Sequence, residues 1–140
     1  VTAEATPPFL DSSFVVRYLT DDPPALALKA AAVIDSDRLL IVTETVLMES
    51  AYVLEKIYKI SRSAVVDALS ALIQKSNLRL ANVSKPRALE ALALCRNSHR
   101  VSFADALVWA EARERGAQLM YSFDRRFPSR GIEIATQLAP

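Results

Sequence analysis

Between Val101 and Phe127 the chain runs VSFADALVWAEARERGAQLMYSFDRRF, which reads as a helix, a turn, a strand and an acidic residue just past the strand. Ser102 is placed to cap the helix, and Asp105 follows three residues later, the spacing of a capping box with Asp in place of Glu. Gly116 stands where a helix ends. Gln118 to Tyr121 is an apolar run too short for a helix, and Asp124 follows it after Ser122 and Phe123. One carboxylate therefore opens a helix and a second lies beyond a strand. In open α/β sheets, ligands bind outside the carboxyl ends of the strands.

The remainder of the chain keeps the same alternation. Phe9-Leu10 reads as a short strand that meets Asp11-Ser12-Ser13 and enters the helical stretch FVVRYL, with Ser12 or Ser13 as N-cap. Asp21-Asp22-Pro23-Pro24 stops that helix and starts another, whose spacing puts Leu26, Ala30, Val33 and Ile34 on one face. Leu39 to Val42 is a continuous apolar run of strand length, the pattern of a strand buried on both faces. Thr43 then caps a long helix, Glu44 to Lys59, with an apolar face of Val46, Leu47, Ser50, Val53, Leu54 and Ile57 and with Glu49 at its border. Ser61 or Ser63 begins a helix carrying Val65, Leu69, Leu72 and Ile73 on one side. Leu78 to Ala81 reads as a strand, Pro86 as the first turn of a helix Arg87 to Arg96, and Ile132 to Ile134 as a last strand. Strands alternating with helices predict an α/β fold with a central, mainly parallel twisted sheet flanked by helices. The 140 residues are one domain by length, with residues 1–8 expected as a flexible lead-in.

Composition removes several function classes. Gly116 and Gly131 are the only glycines, so no Gly-rich phosphate loop or dinucleotide fingerprint is possible. Cys95 is the only cysteine, which rules out an intrachain disulfide and a Cys-based zinc site and suits a reducing cytoplasm. No apolar run approaches the roughly 18 residues of a membrane span, and VTAEATPPF lacks the build of a signal peptide. The net charge is +1, too small to imply nucleic-acid affinity. Its distribution is uneven: 8 basic and 10 acidic residues over 1–84, against 9 basic and 5 acidic over 85–130. A basic rim in the C-terminal half and solvated Arg on helix surfaces explain this equally well. His99 reads as a surface residue, Cys95 as core, and Trp109 as core or dimer contact.

Four acids share one pattern. Asp11 and Asp124 follow strands, Asp105 lies in the first turn of a helix, and Glu49 is about two turns into the helix after the second strand. With parallel strands these positions can converge on one rim, where four carboxylates would repel or take up protons. A divalent cation removes the conflict, and all-oxygen ligands suit Mg²⁺ or Mn²⁺, not zinc. Such an ion activates water for phosphodiester displacement. Taken singly, Asp11 is a helix cap, Glu49 a solvated helix residue, Asp105 a cap heading an apolar stripe with Val108, Trp109 and Ala112, and Asp124 a turn residue. The functional reading rests on the four together.

FLDSSFVVRYL, VTETVLMESAYVL and the stretch from Val101 to Phe127 together resemble the PIN-domain ribonucleases, most closely the VapC-type toxins of bacterial toxin–antitoxin pairs. The resemblance runs from Phe9 to about Ile134. It implies that Asp11, Glu49, Asp105 and Asp124 are the acidic set that holds Mg²⁺ or Mn²⁺ and cuts RNA. Ser13 and Ser122 match supporting polar positions, although the family often has Thr-Asn where Ser12-Ser13 stand and Thr where Ser122 stands. It also implies a homodimer, a cognate antitoxin whose C-terminal segment fills the groove, and promoter DNA bound only through that antitoxin. Arg17, Arg100, Arg125 and Arg126 are the candidate contacts to the RNA backbone. The alternative is a non-catalytic PIN-like module whose acidic pocket receives a basic partner peptide. A phosphoryl-transfer domain with a nucleophilic Asp would need a late lysine, and the last one, Lys85, precedes both late acids.

Overall fold

A computed structural model describes residues 5–139. Its elements, in chain order, are α1 (Ser12–Thr20), α2 (Pro24–Ile34), β1 (Leu40–Val42), α3 (Glu44–Tyr52), a π-helical turn (Val53–Ile57), α4 (Arg62–Ile73), β2 (Leu78–Leu80), α5 (Lys85–Arg96), α6 (Phe103–Glu114), β3 (Leu119–Tyr121) and β4 (Glu133–Ala135). Every strand pairing is parallel: β1 with β2, β3 with β4, and a single bridge from Phe9 to Ile41. The predicted α/β architecture is the one observed. Among the described residues the sheet falls into two two-stranded parts with no backbone pairing between them. Residues 1–4 of the expected lead-in lie outside the described residues. Its end is held, because the Pro8 carbonyl accepts the Ile41 N–H at 2.8 Å.

The core is built by the apolar faces read from sequence. Val65, Leu69, Leu72 and Ile73 of α4 are buried, as are Leu40 and Val42 of β1, Leu92 and Cys95 of α5, and Trp109 of α6. Each fully buried side chain of this size contributes about 1.5–3 kcal/mol through removal of apolar area from water. α5 packs against α4 and α6, and α1 against α2 and α3.

Five readings are corrected. The cap of α1 is Asp11, not Ser12 or Ser13: its carboxylate accepts the Ser13 N–H, and Ser12 is already helical. α2 buries Ala27, not Leu26, together with Ala30 and Ile34, so Leu26 is left half exposed. The long helix to Lys59 is interrupted. The π-helical turn inserts extra winding after Tyr52, the phase of the apolar stripe slips, and Ile57 ends 65 % exposed. Lys59, with φ 57°, leaves the helix altogether. Finally, α5 starts at Lys85 behind a Ser84 cap, and the last strand runs one residue later than expected, with Ile132 buried just ahead of it.

Candidate active site

Asp11 stands where the chain turns from the Phe9 bridge into α1. The Ser13 hydroxyl donates to its Oδ2 at 2.7 Å and the Ser13 N–H at 3.3 Å. These bonds stabilise the charged form, so the Asp11 carboxyl sits below the ordinary carboxylate range, the Ser13 hydroxyl having the largest effect. Among the described residues the hydrogen bonds to Asp11 all fall on Oδ2.

Asp105 is half buried in the first turn of α6, with its N–H donating to the Ser102 cap at 3.0 Å. Its helix buries Phe103, Ala106, Leu107, Trp109 and Ala110, while Val108 is 47 % exposed. Asp105 therefore borders the apolar face, where the sequence had it heading a stripe through Val108.

Asp124 lies in the turn after β3. The Arg126 N–H donates to its Oδ1 at 2.8 Å, and the Arg126 Nε at 3.4 Å. That backbone hydrogen bond is the main cause holding the Asp124 carboxyl below its usual range, with smaller help from the Arg126 guanidinium and from Asp105. Asp105 is the smallest of these influences and the one from outside the turn, which makes the two acids neighbours although 19 positions separate them in sequence, one past a strand end and one at a helix start. The Ser122 hydroxyl accepts the Asp124 N–H at 3.1 Å and shapes the turn. Arg126 is partly committed to Asp124, while Arg100 and Arg125 are exposed.

Two tethers from α6 set this meeting. The buried Trp109 Nε1 donates to the Arg130 carbonyl at 2.9 Å, and Arg113 donates to the Gly131 carbonyl at 2.8 Å. Phe127 and Ile132 are buried in the same segment. The loop that carries Asp124 is thereby fastened to the helix that carries Asp105.

The start of α6 is itself fixed by Arg62, a residue to which the sequence gave no role. Its guanidinium donates to the carbonyls of Cys95, Ser98 and Val101 and to the Glu55 carboxylate, and it lies 4.8 Å over the Phe103 ring. Only the position of Arg62 at the start of a helix was visible in the sequence. Its partners are 33 or more positions away, apart from Glu55. Glu44 was missed for the same reason. It is buried and accepts from the N–H groups of Asn82 and Val83 and from the Asn82 amide, pinning the β2–α5 connection onto α3.

Glu49 is exposed on α3 and lines a cavity of about 630 Å³ with Met48, Tyr52, Phe103 and Ala104, so it faces the residues just ahead of Asp105. The four acids are thus not equally gathered: Asp105 and Asp124 meet, Glu49 faces the same helix start, and Asp11 caps its own helix. Among the described residues no three His, Cys, Asp or Glu side chains stand close enough to surround one ion. In kind, the donor set fits a hard divalent cation. It is all oxygen, and Asp11 and Asp124 each keep one carboxylate oxygen outside the hydrogen bonds that orient them. In position, the fit is limited to the Asp105–Asp124 pair.

No curated protein matches the chain. Among solved structures, similarity extends to the crystal structure of Mycobacterium tuberculosis VapC20, a toxin described as cleaving the sarcin–ricin loop. The two are 23% identical, with 89% of this chain and 95% of that one covered and a TM-score of 0.42. The model of the PIN domain family matches residues 9–132, nearly the whole chain. The chain belongs to the PIN domain family.

Proposed function

We propose that this protein is a Mg²⁺- or Mn²⁺-dependent endoribonuclease of the VapC toxin type. The observation that carries the reading is the meeting of Asp105 and Asp124, delivered by two separate elements of a PIN-family chain. These two would hold the cation, with Asp11 and Glu49 completing the set. When bound, the ion supplies activation of water and stabilisation of the charge that develops on the scissile phosphate. The chain's own residues orient the carboxylates: Ser13 fixes Asp11, Ser102 fixes the turn of Asp105, and Arg126 and Ser122 fix Asp124. Hydrolysis leaves a 5′ phosphate and a 3′ hydroxyl. Arg100, Arg125 and the free face of Arg126 are the proposed backbone contacts near Asp124.

The cavity beside Glu49 favours a protein partner as well. Its walls are largely apolar, from Met48, Tyr52, Phe103 and Ala104; Glu55 in the lining is paired with Lys56 and Arg62, which leaves Glu49 as the lining carboxylate without an ion pair among the described residues. A segment of antitoxin with apolar side chains and one basic residue matches that lining. The same observation supports the second reading, a non-catalytic module that binds a basic peptide.

The test is incubation of the purified chain with RNA in Mg²⁺, Mn²⁺ and EDTA, alongside Asp105→Asn and Asp124→Asn. We expect metal-dependent cleavage with 5′-phosphate ends and a loss of at least about 100-fold in each variant, the scale of electrostatic stabilisation at a reacting centre. Cleavage that persists in both variants removes the site. A chain inert in every arm, yet tightly bound by an Arg-bearing apolar peptide, supports the second reading.

A further inference from the structure

A second depression lies on the Asp11 side of the acids, between α1 and α2. Its volume is about 160 Å³, and it is lined by Ser13, Phe14 and Arg17 of α1 and by Leu26, Lys29 and Ala30 of α2. Residues three and four apart share a helix face, so each helix turns one short stripe toward this groove. Phe14, 37 % exposed, and Leu26 give it apolar walls. Arg17 and Lys29 give it two positive charges. Among the described residues neither forms an ion pair, and the Nε of Arg17 is buried without a hydrogen-bond partner. A buried guanidinium N–H left unpaired costs free energy until an acceptor arrives. The groove adjoins Asp11, because Ser13, which lines it, is the residue that orients Asp11.

We infer that this groove is a nucleotide subsite of the proposed nuclease, taking one unpaired base of single-stranded RNA against Phe14 and Leu26 and its phosphate on Arg17 and Lys29. The inference rests on the nuclease reading and extends it to where the substrate strand lies relative to Asp11. Stacking on a half-exposed aromatic ring together with cations on the backbone is how unpaired nucleic acid is held without reading its sequence. An apolar wall with two unpaired cations complements a nucleotide in both of its parts. A neutral apolar peptide would leave both charges unanswered.

The test is fluorescence anisotropy of a labelled single-stranded RNA on the Asp105→Asn chain, which serves as a non-cleaving background, combined in turn with Lys29→Ala, Phe14→Ala and Arg17→Ala. Lys29 is exposed, so its substitution reports on binding and not on folding. Arg115→Ala, at the far end of α6 from Asp105, removes the same charge away from the groove. Each groove substitution is expected to weaken binding about fivefold or more, the scale of losing one stacked base. Lys29→Ala should also flatten the logarithmic salt dependence by about 0.7, one phosphate contact on a single strand. Arg115→Ala should do neither. A wild-type chain that cuts RNA while Lys29→Ala and Phe14→Ala bind it unchanged overturns the subsite. A wild-type chain that never cuts, yet binds RNA with this dependence on Lys29 and Phe14, supports the subsite and sinks the nuclease reading.

Discussion

Asp11 and Asp124 are both held ionised by hydrogen bonds made within two residues of sequence. Their charge is therefore a local property that needs no tertiary contact. That is why a sequence could nominate them, and why each also passes for an ordinary turn acid. Cys95 is the contrasting case. It is wholly buried on α5, and burial pushes its thiol up from 9.0 to about 11. The folded chain therefore keeps its proton where the unfolded chain has lost it. The stabilisation is complete below pH 9.0 and is lost as pH rises through about 11. We expect the native thiol to resist iodoacetamide at pH 8 and the denatured thiol to react. Stability should fall between pH 9 and 11 more steeply than in Cys95→Ala, as read from denaturant midpoints. Equal slopes would mean that the thiol is not buried in solution.

At the scale of elements, helix faces and strand positions were legible wherever one period ran unbroken. α4 buried the four residues that its spacing selected. Ile57 failed because a π-helical turn resets the phase, and nothing in VLEKI announces one. Asp105 and Asp124 could be named from their places after a cap and after a strand. Their meeting depends on Trp109 and Arg113 reaching the carbonyls of Arg130 and Gly131, contacts that no local pattern encodes. Gly131 tests that tether. Its φ is 69°, and a Cβ there would lie 2.5 Å from the Arg113 guanidinium carbon. Gly131→Ala is expected to cost about 1–2 kcal/mol from the left-handed backbone alone, read as a lower denaturant midpoint. It should also reduce cleavage by displacing the Asp124 loop. A variant as stable and active as the parent would show that the loop is positioned by something else.

At the scale of the whole molecule, parallel pairing throughout gives the strands of each pair a common direction; Asp11 follows the Phe9 bridge into α1 and Asp124 follows β3, while Glu49 and Asp105 are carried on helices. The fold class was therefore open to reading from alternation alone. The distances among the acids were not, because they depend on how two separately paired strand sets and three helices come to rest. Glu44 and Arg62 belong to this scale too. Each gathers groups from distant segments and spends its charge on architecture, not on chemistry. No helix among the described residues is long and apolar enough to cross a membrane.

The account stands or falls on Asp105 and Asp124 serving one ion, although they lie 19 positions apart in sequence and on different elements. Titration of Mn²⁺ into the chain, followed by loss of the free-ion electron paramagnetic resonance signal, measures this without reference to cleavage. We expect saturable binding that weakens at least about tenfold, or about 1.4 kcal/mol, in Asp105→Asn and Asp124→Asn alike. Binding that Asp105→Asn weakens and Asp124→Asn leaves untouched would contradict a single centre.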